Sequence, residues 1–429
     1  MTSIKDDMNK YTTQKKLSSS LLIALTILNS TPILNAHSQN NDPNMLKPII
    51  ADLSILKAAN IPIMYKDEES QVGYAIINAA AENKISSLSH ARGRCGNFEA
   101  LSEIPKDMNE VQNQIQALNI INKQNYQISF LEPMQVVENT EITTALNQLD
   151  PLEIKANVEF LSSFKSRYNK LPNPNEHIQP FIEKLNSITQ NAHYPITIET
   201  IDHKSTKQKS IKLTIQGSQF PNEIIVLGGH LDSINSSGWG ANPSGRAPGA
   251  DDNASGSSSL VEALRVLTKQ EQPQRTIEFY WYAGEESGLL GSSEIAESSR
   301  NAQKNIIAVL QLDMTMFPGD GEFVIASMTD FTSAWLRDYL TAINNTYIKA
   351  TIKEDKCGYG CSDHASWYRR GYPTLMPTEA KFNSMFDDLH TERDVISPVM
   401  SFNHALVFSK IALTLAMDLG NSRLTQPVR

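Results

Sequence analysis

The stretch Tyr282-Ala283-Gly284-Glu285-Glu286-Ser287-Gly288 sets two carboxylates side by side just after the apolar run Thr276-Ile277-Glu278-Phe279-Tyr280-Trp281. The run reads as a buried strand, and the segment beyond it can turn helical. Successive side chains diverge where a strand ends, so one carboxylate can hold a metal ion while its neighbour faces a water on that ion. A solvated acidic pair at a helix start explains the same two residues more simply, and only other groups in the chain can decide. His230 and Asp232 close a second apolar stretch, Leu227-Gly228-Gly229-His230-Leu231-Asp232-Ser233. Two residues apart, they share a side while the strand continues, and Asp232 can accept the ring N–H that fixes the tautomer of a ligating His230. A solitary His-x-Asp is also common in loops. In Ala247-Pro248-Gly249-Ala250-Asp251-Asp252-Asn253-Ala254-Ser255-Gly256, two acids and an Asn stand among small residues before a helix. An N-cap accounts for one of them, whereas a cation would compensate the repulsion between the acids. Asp313 ends Leu310-Gln311-Leu312, and His390 follows Phe386-Asp387-Asp388-Leu389. Two histidines, with Asp and Glu between them in chain order at strand ends, make a hard donor set suited to Zn²⁺.

These groups need a frame that brings distant loops together. Apolar runs predict strands over 196–201, 210–216, 223–228, 276–281, 306–312, 322–326 and 373–376. Helical periodicity marks 142–164, 177–189, 254–270, 292–300, 331–344 and 403–419. Strands alternating with helices predict an α/β fold, a central mixed and largely parallel sheet with helices on both faces. In such sheets the working loops lie past the carboxyl ends of the strands, where the acids and histidines above fall.

The 429 residues and 40% hydrophobic content suffice for one large domain or two smaller ones. A net charge of -9 without a dense Lys/Arg stripe argues against nucleic acid or an anionic membrane as partner. Lys15-Lys16, the apolar run 21–28 and Ala36 read as an export signal over residues 1–36, too short to be a permanent membrane anchor. A small α+β prosegment-like region is expected over 37–139. It holds Cys95 and no cluster of ligand residues, and we expect it to cover the active site or assist folding before being cut off outside the cell. The catalytic domain is expected over 140–429, and the product is expected to be a secreted monomer.

Gly-Gly-His-Leu-Asp-Ser, Pro-Gly-Ala-Asp-Asp-Asn-Ala-Ser-Gly, Gly-Glu-Glu-Ser-Gly-Leu-Leu-Gly-Ser, Gln-Leu-Asp-Met and Cys-Gly-Tyr-Gly-Cys-Ser-Asp-His-Ala-Ser-Trp follow one another in this chain. In that order they resemble the zinc exopeptidases with two co-catalytic metals, and closely their secreted bacterial leucyl aminopeptidase branch. The resemblance implies two Zn²⁺ per chain, with Asp251 bridging them, His230 and Asp313 completing one site, and Glu286 and His390 the other. It implies Glu285 as the general base towards a water shared by the metals, Asp232 as the partner of His230, and Tyr359 as a donor to the developing oxyanion. It implies a cis peptide between Asp251 and Asp252. It also implies a substrate pocket lined by Met314, Cys357, Tyr359, Cys361, Met376, Phe382 and Leu389, suited to a large hydrophobic first residue, Leu above all. Thr378 and Met385 stand where relatives carry aromatics, which would widen the pocket. The substrates would be the N-termini of peptides and proteins. Cys357 and Cys361 could form half a thiolate zinc site, but no second pair exists, so a short-loop disulfide holding Tyr359 is expected. His364 is expected to be structural. The competing readings are a carboxypeptidase or one-zinc glutaminyl cyclase of the same fold, and a silent binding module.

Overall fold

The computed structural model describes residues 46–421 except 69–70, 91–97, 102–103, 113–114, 116–135, 237–241 and 243. The export segment and Cys95 lie outside the described residues. The described chain opens with a small α+β region. Strands β1 (Lys47–Asp52), β2 (Tyr65–Asp67), β3 (Val72–Ile77) and β4 (Phe98–Ala100) pair antiparallel in the order β2-β3-β1-β4. Helices α1 (Leu53–Ala58) and α2 (Ala79–His90) accompany them. Ile49, Ile55, Leu56, Ala75, Ile85 and Phe98 form its core, and Leu290 from far along the chain joins them.

Three helices follow: α3 (Thr140–Leu146), α4 (Pro151–Ser162) and α5 (Ile178–Thr189). The single helix expected over 142–164 is thus two. Asp150 caps α4 by accepting the Leu152 N–H, and Pro151 has no N–H to continue the preceding helix. Strands β5 (Ile196–Ile201), β6 (Ser210–Ile215), β7 (Phe220–His230), β8 (Arg275–Tyr282), β9 (Asn305–Gln311) and β12 (Thr374–Leu375) build the main sheet in the order β12-β9-β7-β8-β6-β5. The pairings β12-β9, β9-β7 and β7-β8 are parallel, while β8-β6 and β6-β5 are antiparallel. The sheet is therefore mixed, with its parallel half carrying the site. Strands β10 (Val324–Met328), β11 (Thr351–Asp355) and β13 (Pro377–Thr378) form a separate three-stranded sheet in the order β11-β10-β13.

Helices α6 (Gly256–Leu267) and α10 (Phe402–Asn421) pack on each other over one face of the main sheet, and α7 (Leu290–Asn301) and α9 (His364–Arg369) over the other. The outward-facing helix α8 (Ala334–Ile343) buries Trp335, Leu336, Tyr339 and Leu340 against the first of these layers. Every residue of β8 is buried, as an interior strand covered on both faces requires.

The N-terminal region packs on this frame beside the Glu285 turn. The Ala100 N–H donates to the Gly288 carbonyl at 3.2 Å. Glu99 is buried, accepts the Ser293 hydroxyl at 2.9 Å, and pairs with Arg369 and Arg370. Glu82 pairs with Lys47 at 2.9 Å and with Lys170 at 2.5 Å.

Candidate metal centre and active site

Three parallel strand ends and two loops converge on one buried point. His230 is the last residue of β7, and Asp313 lies two residues past β9. Glu285 and Glu286 occupy a single 3₁₀ turn after β8, entered through Gly284 and left through Gly288, both at positive φ. His390 comes from the irregular segment before α10, and Asp252 from a wide turn, Ala250–Ser255, just ahead of α6. His230 Nε2 stands 3.1 Å from Asp252 Oδ1 and 3.4 Å from Asp313 Oδ1. His390 Nε2 stands 2.7 Å from Asp252 Oδ2 and 3.2 Å from Glu286 Oε2. The two oxygens of Asp252 therefore face two different imidazoles, and each triad has the reach of a metal site.

Asp251 is in neither triad, which corrects the expected bridging ligand. The acid between the two histidines is Asp252, and the cis peptide lies one residue later than expected, between Asp252 and Asn253. Asp252 has an extended backbone (φ -105°, ψ 98°), so its side chain leaves the turn on the opposite side from that of Asp251. Asp251 accepts the Met316 N–H at 3.3 Å and meets the buried Glu379. Burial, with hydrogen bonds from Glu379 and Met316 opposing it, pushes the Asp251 carboxyl up to about 7. Burial and the Asp251 charge hold Glu379 well above the usual carboxylate range. Two touching acids out of water cannot both ionise, so this pair keeps a proton and makes a poor metal bridge.

Several residues that position the triads carry no recognisable motif. Asp394 accepts the N–H groups of Asp251 (2.8 Å) and Asp252 (3.1 Å) and so fixes the orientation of the turn. Asn253 accepts from Gly256 N–H (3.0 Å) and Met314 N–H (3.2 Å), and donates to the Leu312 carbonyl (3.0 Å). It thereby grips the chain on both sides of Asp313. A Cβ on Gly256 would lie 2.4 Å from Asn253 Oδ1, so only glycine leaves that bond intact. The fully buried Arg167 donates to the carbonyls of Leu161, Leu231, Pro248 and Gly249, tying the β7 end to the Asp252 loop.

Asp232 plays two parts. Its carboxylate is 3.4 Å from His230 Nδ1, and it accepts the N–H groups of Glu285 (3.0 Å) and Glu286 (3.2 Å). The Asp232 backbone carbonyl is the nearer partner of Nδ1, at 3.1 Å. β7 stops at His230, so Asp232 lies past the strand end and the shared strand face does not arise.

The site is buried and crowded with carboxylates around two imidazoles. Burial holds the Glu285 carboxyl well above its ordinary value; Glu286, Asp363 and Asp313 add to the rise and His230 opposes it. Burial likewise pushes Glu286 up to about 7, against the attraction of His390. Burial works against the charged imidazoles, yet the surrounding carboxylates hold His230 and His390 well above the usual histidine range. His230 Nε2, Asp313 Oδ1 and both carboxylate oxygens of Glu286 are buried without a hydrogen bond. Dry donor atoms of this kind are costly unless a cation holds them, so the residues fit a metal pair.

Around Tyr359 the loop is pinned twice. Cys357 and Cys361 form a disulfide, and the Asp330 carboxylate accepts the N–H groups of Cys357 (3.2 Å) and Gly358 (2.6 Å). His364 is fully buried and meets the Phe331 ring edge-on at 6.4 Å; burial pushes its imidazole down to about 3. Cys357, Tyr359, Cys361 and Met376 cluster with Ala326 and Met328, and Phe382 and Met385 pack against them. Ala326 and Met328, on β10, were not foreseen. Met314 and Leu389 lie outside this cluster, next in chain to Asp313 and His390 respectively. The Thr378 hydroxyl donates to the Asp313 carbonyl at 3.2 Å.

Comparison with known proteins matches residues 210–414 to the model of peptidase family M28. The chain is 33% identical to a probable aminopeptidase of Saccharomyces cerevisiae over 297 residues, 67% of this chain and 78% of that one. It is 36% identical to leucine aminopeptidase 1 of Metarhizium robertsii over 301 residues, 67% of this chain and 74% of the relative. The fold is similar to that of the LapA aminopeptidase of Legionella pneumophila, with a TM-score of 0.76 and 24% identity, covering 88% of this chain and 99% of that one. A share of 88% is more than residues 140–429 can supply, so the likeness in fold reaches into the N-terminal domain. Among the described residues no helix is long and apolar enough to cross a membrane. With identity sustained over most of the length of its relatives, the chain belongs to peptidase family M28 and is an aminopeptidase of that family.

Proposed function

We propose that the chain is a secreted, monomeric, dinuclear zinc aminopeptidase that removes large hydrophobic residues, Leu first, from the N-termini of peptides. The observation that carries the dinuclear reading is the split of one carboxylate: Asp252 Oδ1 lies 3.1 Å from His230 Nε2, and Oδ2 lies 2.7 Å from His390 Nε2. His230, Asp252 and Asp313 would hold one Zn²⁺, and Asp252, Glu286 and His390 the other. When bound, such a pair supplies Lewis acidity and brings the pKa of a water towards neutrality. Glu285, excluded from both triads, takes the proton of the attacking water and returns it to the leaving amine. Tyr359 donates its hydroxyl hydrogen to the oxyanion that develops on the scissile carbonyl. Asp232 sets the His230 ring and, through two N–H groups, the turn that carries Glu285 and Glu286. The cluster of Met328, Met376, Phe382 and Met385 beside Tyr359 supports an adaptable apolar pocket for the first side chain. The resemblance to leucine aminopeptidases supports Leu as that residue.

Residues 1–36 would direct export, 37–139 would form the folded region removed on maturation, and 140–429 would be the catalytic domain. Glu285→Gln tests the chemistry: bound zinc should stay at two per chain while kcat on Leu-p-nitroanilide falls at least ~10²-fold. Near-normal turnover would overturn the role of Glu285. An N-blocked substrate cleaved as fast as the free amine would exclude an aminopeptidase. Mass spectrometry of the active secreted protein locates its first residue, and a start at His37 would exclude removal.

A further inference from the structure

A cavity of about 240 Å³ lies where the N-terminal domain meets the Tyr359 loop. Gln71, Val72 and Phe98 wall it from the N-terminal domain, and Asp330, Lys356 and Tyr359 from the catalytic domain. We propose that this cavity receives the residue that follows the scissile bond, so that the N-terminal region, for as long as it stays attached, limits which leaving residues the full chain accepts. The inference rests on the aminopeptidase reading and adds a second specificity element to it.

Three observations converge. Tyr359 is shared: it packs in the apolar cluster with Met328 and Met376, and it also lines this cavity. A substrate that presents its carbonyl to Tyr359 with its first side chain against the cluster leaves the cavity for what comes next. The proton on Glu285 must reach the leaving nitrogen, which places the leaving residue on the side of the Glu285 turn. Phe98 lies over the end of that turn, and a Cβ on Gly288 would stand 2.5 Å from Phe98 Cε2. Size is the third observation. Ligand pockets of roughly 300–1,000 Å³ take drug-sized molecules, so this smaller one suits a single residue.

Both walls are held in place. Asp330 grips the Tyr359 loop through the Cys357 and Gly358 N–H groups, and Glu99, next to Phe98, is fixed by Arg369 and Arg370. A larger leaving residue therefore meets a limit that neither side relieves by a small shift. Val72 and Phe98 make the space apolar, and the exposed Lys356 at its rim offers a counter-charge to the carboxylate of a dipeptide.

The test uses the full chain and two substrates, Leu-Phe and Leu-amide; ammonia, the leaving group of the amide, does not reach the cavity. Gln71→Trp fills the space from the N-terminal side, at an exposed position. The ratio of kcat/KM for Leu-Phe to that for Leu-amide should fall at least ~10-fold, the scale of a filled side-chain pocket. An unchanged ratio would overturn the proposal. Should Gln71→Trp not fold by circular dichroism, Lys356→Trp fills the cavity from the opposite wall; it is read with Leu-Phe-amide in place of Leu-Phe, so that loss of the Lys356 charge does not enter, and carries the same two outcomes. Absence of Leu-amide turnover by the unaltered chain would instead count against the aminopeptidase reading itself.

Discussion

Asp251 and Asp252 carry the same functional group one residue apart, and their surroundings give them opposite protonation. Burial works against ionisation of Asp252, but His390 and His230 outweigh it and hold the carboxyl far below its ordinary value. Asp251 faces Glu379 and is pushed up instead. Asp252→Asn should therefore abolish tight zinc binding at both positions, whereas Asp251→Asn should keep two zinc ions per chain; elemental analysis after dialysis distinguishes them. Retention of both metals by Asp252→Asn would restore Asp251 as the bridge. Residue types and strand ends in the sequence mark His230, Glu286, Asp313 and His390 as candidates, and the structure brings them together; the separate part given to Glu285 comes from the family resemblance rather than from spacing. The choice within the Asp-Asp pair was not legible, because it depends on the backbone dihedrals of a turn, and residue type does not encode those. Asp394 and Arg167 were invisible for a different reason. Each acts through backbone groups distant in the chain, and nothing local announces such a role.

At the scale of elements, the strands set the site and the clamps between loops refine it. Strand β5 has the boundaries its apolar alternation predicts, and β7, β8 and β9 match their predicted ranges to within a few residues because each buries a continuous apolar run. Strands β11 and β13 were missed: β11 is half-exposed with charged residues, and β13 is two residues long and begins with Pro377. The periodicity over 142–164 runs across a boundary set by Asp150, which caps α4, and Pro151, which opens it. Asn253 is the clamp with the widest reach, since it joins the start of α6 to both sides of Asp313. Asn253→Ala would leave the Met314 N–H and the Leu312 carbonyl without this partner. Each lost buried bond costs about 1–3 kcal/mol. The urea midpoint should fall accordingly, and zinc should dissociate faster because Asp313 loses its frame. A wild-type midpoint with unchanged zinc release would show that the clamp is dispensable.

At the scale of the molecule, two buried carboxylates join the apolar contact of Leu290 in holding the N-terminal region to the rest of the chain. Burial opposes ionisation of Glu99, but Arg370 and Arg369 bring its carboxyl down to about 2. Glu82 is lowered in the same sense by Lys170 and Lys47, against burial. A carboxyl whose folded value lies below its ordinary 4.5 contributes stability that is complete above that pH. The contribution fades as the pH falls from about 4.5 towards 2. Hydrogen exchange should thus quicken at β4 and at the first turn of α7 as the pH drops through this window, after correction for intrinsic rates, before β7 and β8 respond. Uniform behaviour of all four elements would mean that the domain and the sheet open together. The seating also spans a great length of chain: Glu99 and Ser293, which touch, are 194 residues apart in sequence. Ribosomes add roughly 5–20 residues per second. Arg369 and Arg370 follow Glu99 by 270 and 271 residues, so Glu99 waits on the order of 14–54 s after it is made before both arginines are synthesised. Throughout that interval Glu99 sits on an edge strand with neither arginine to receive it, and a nascent chain stalled there would present β4 to any other strand within reach.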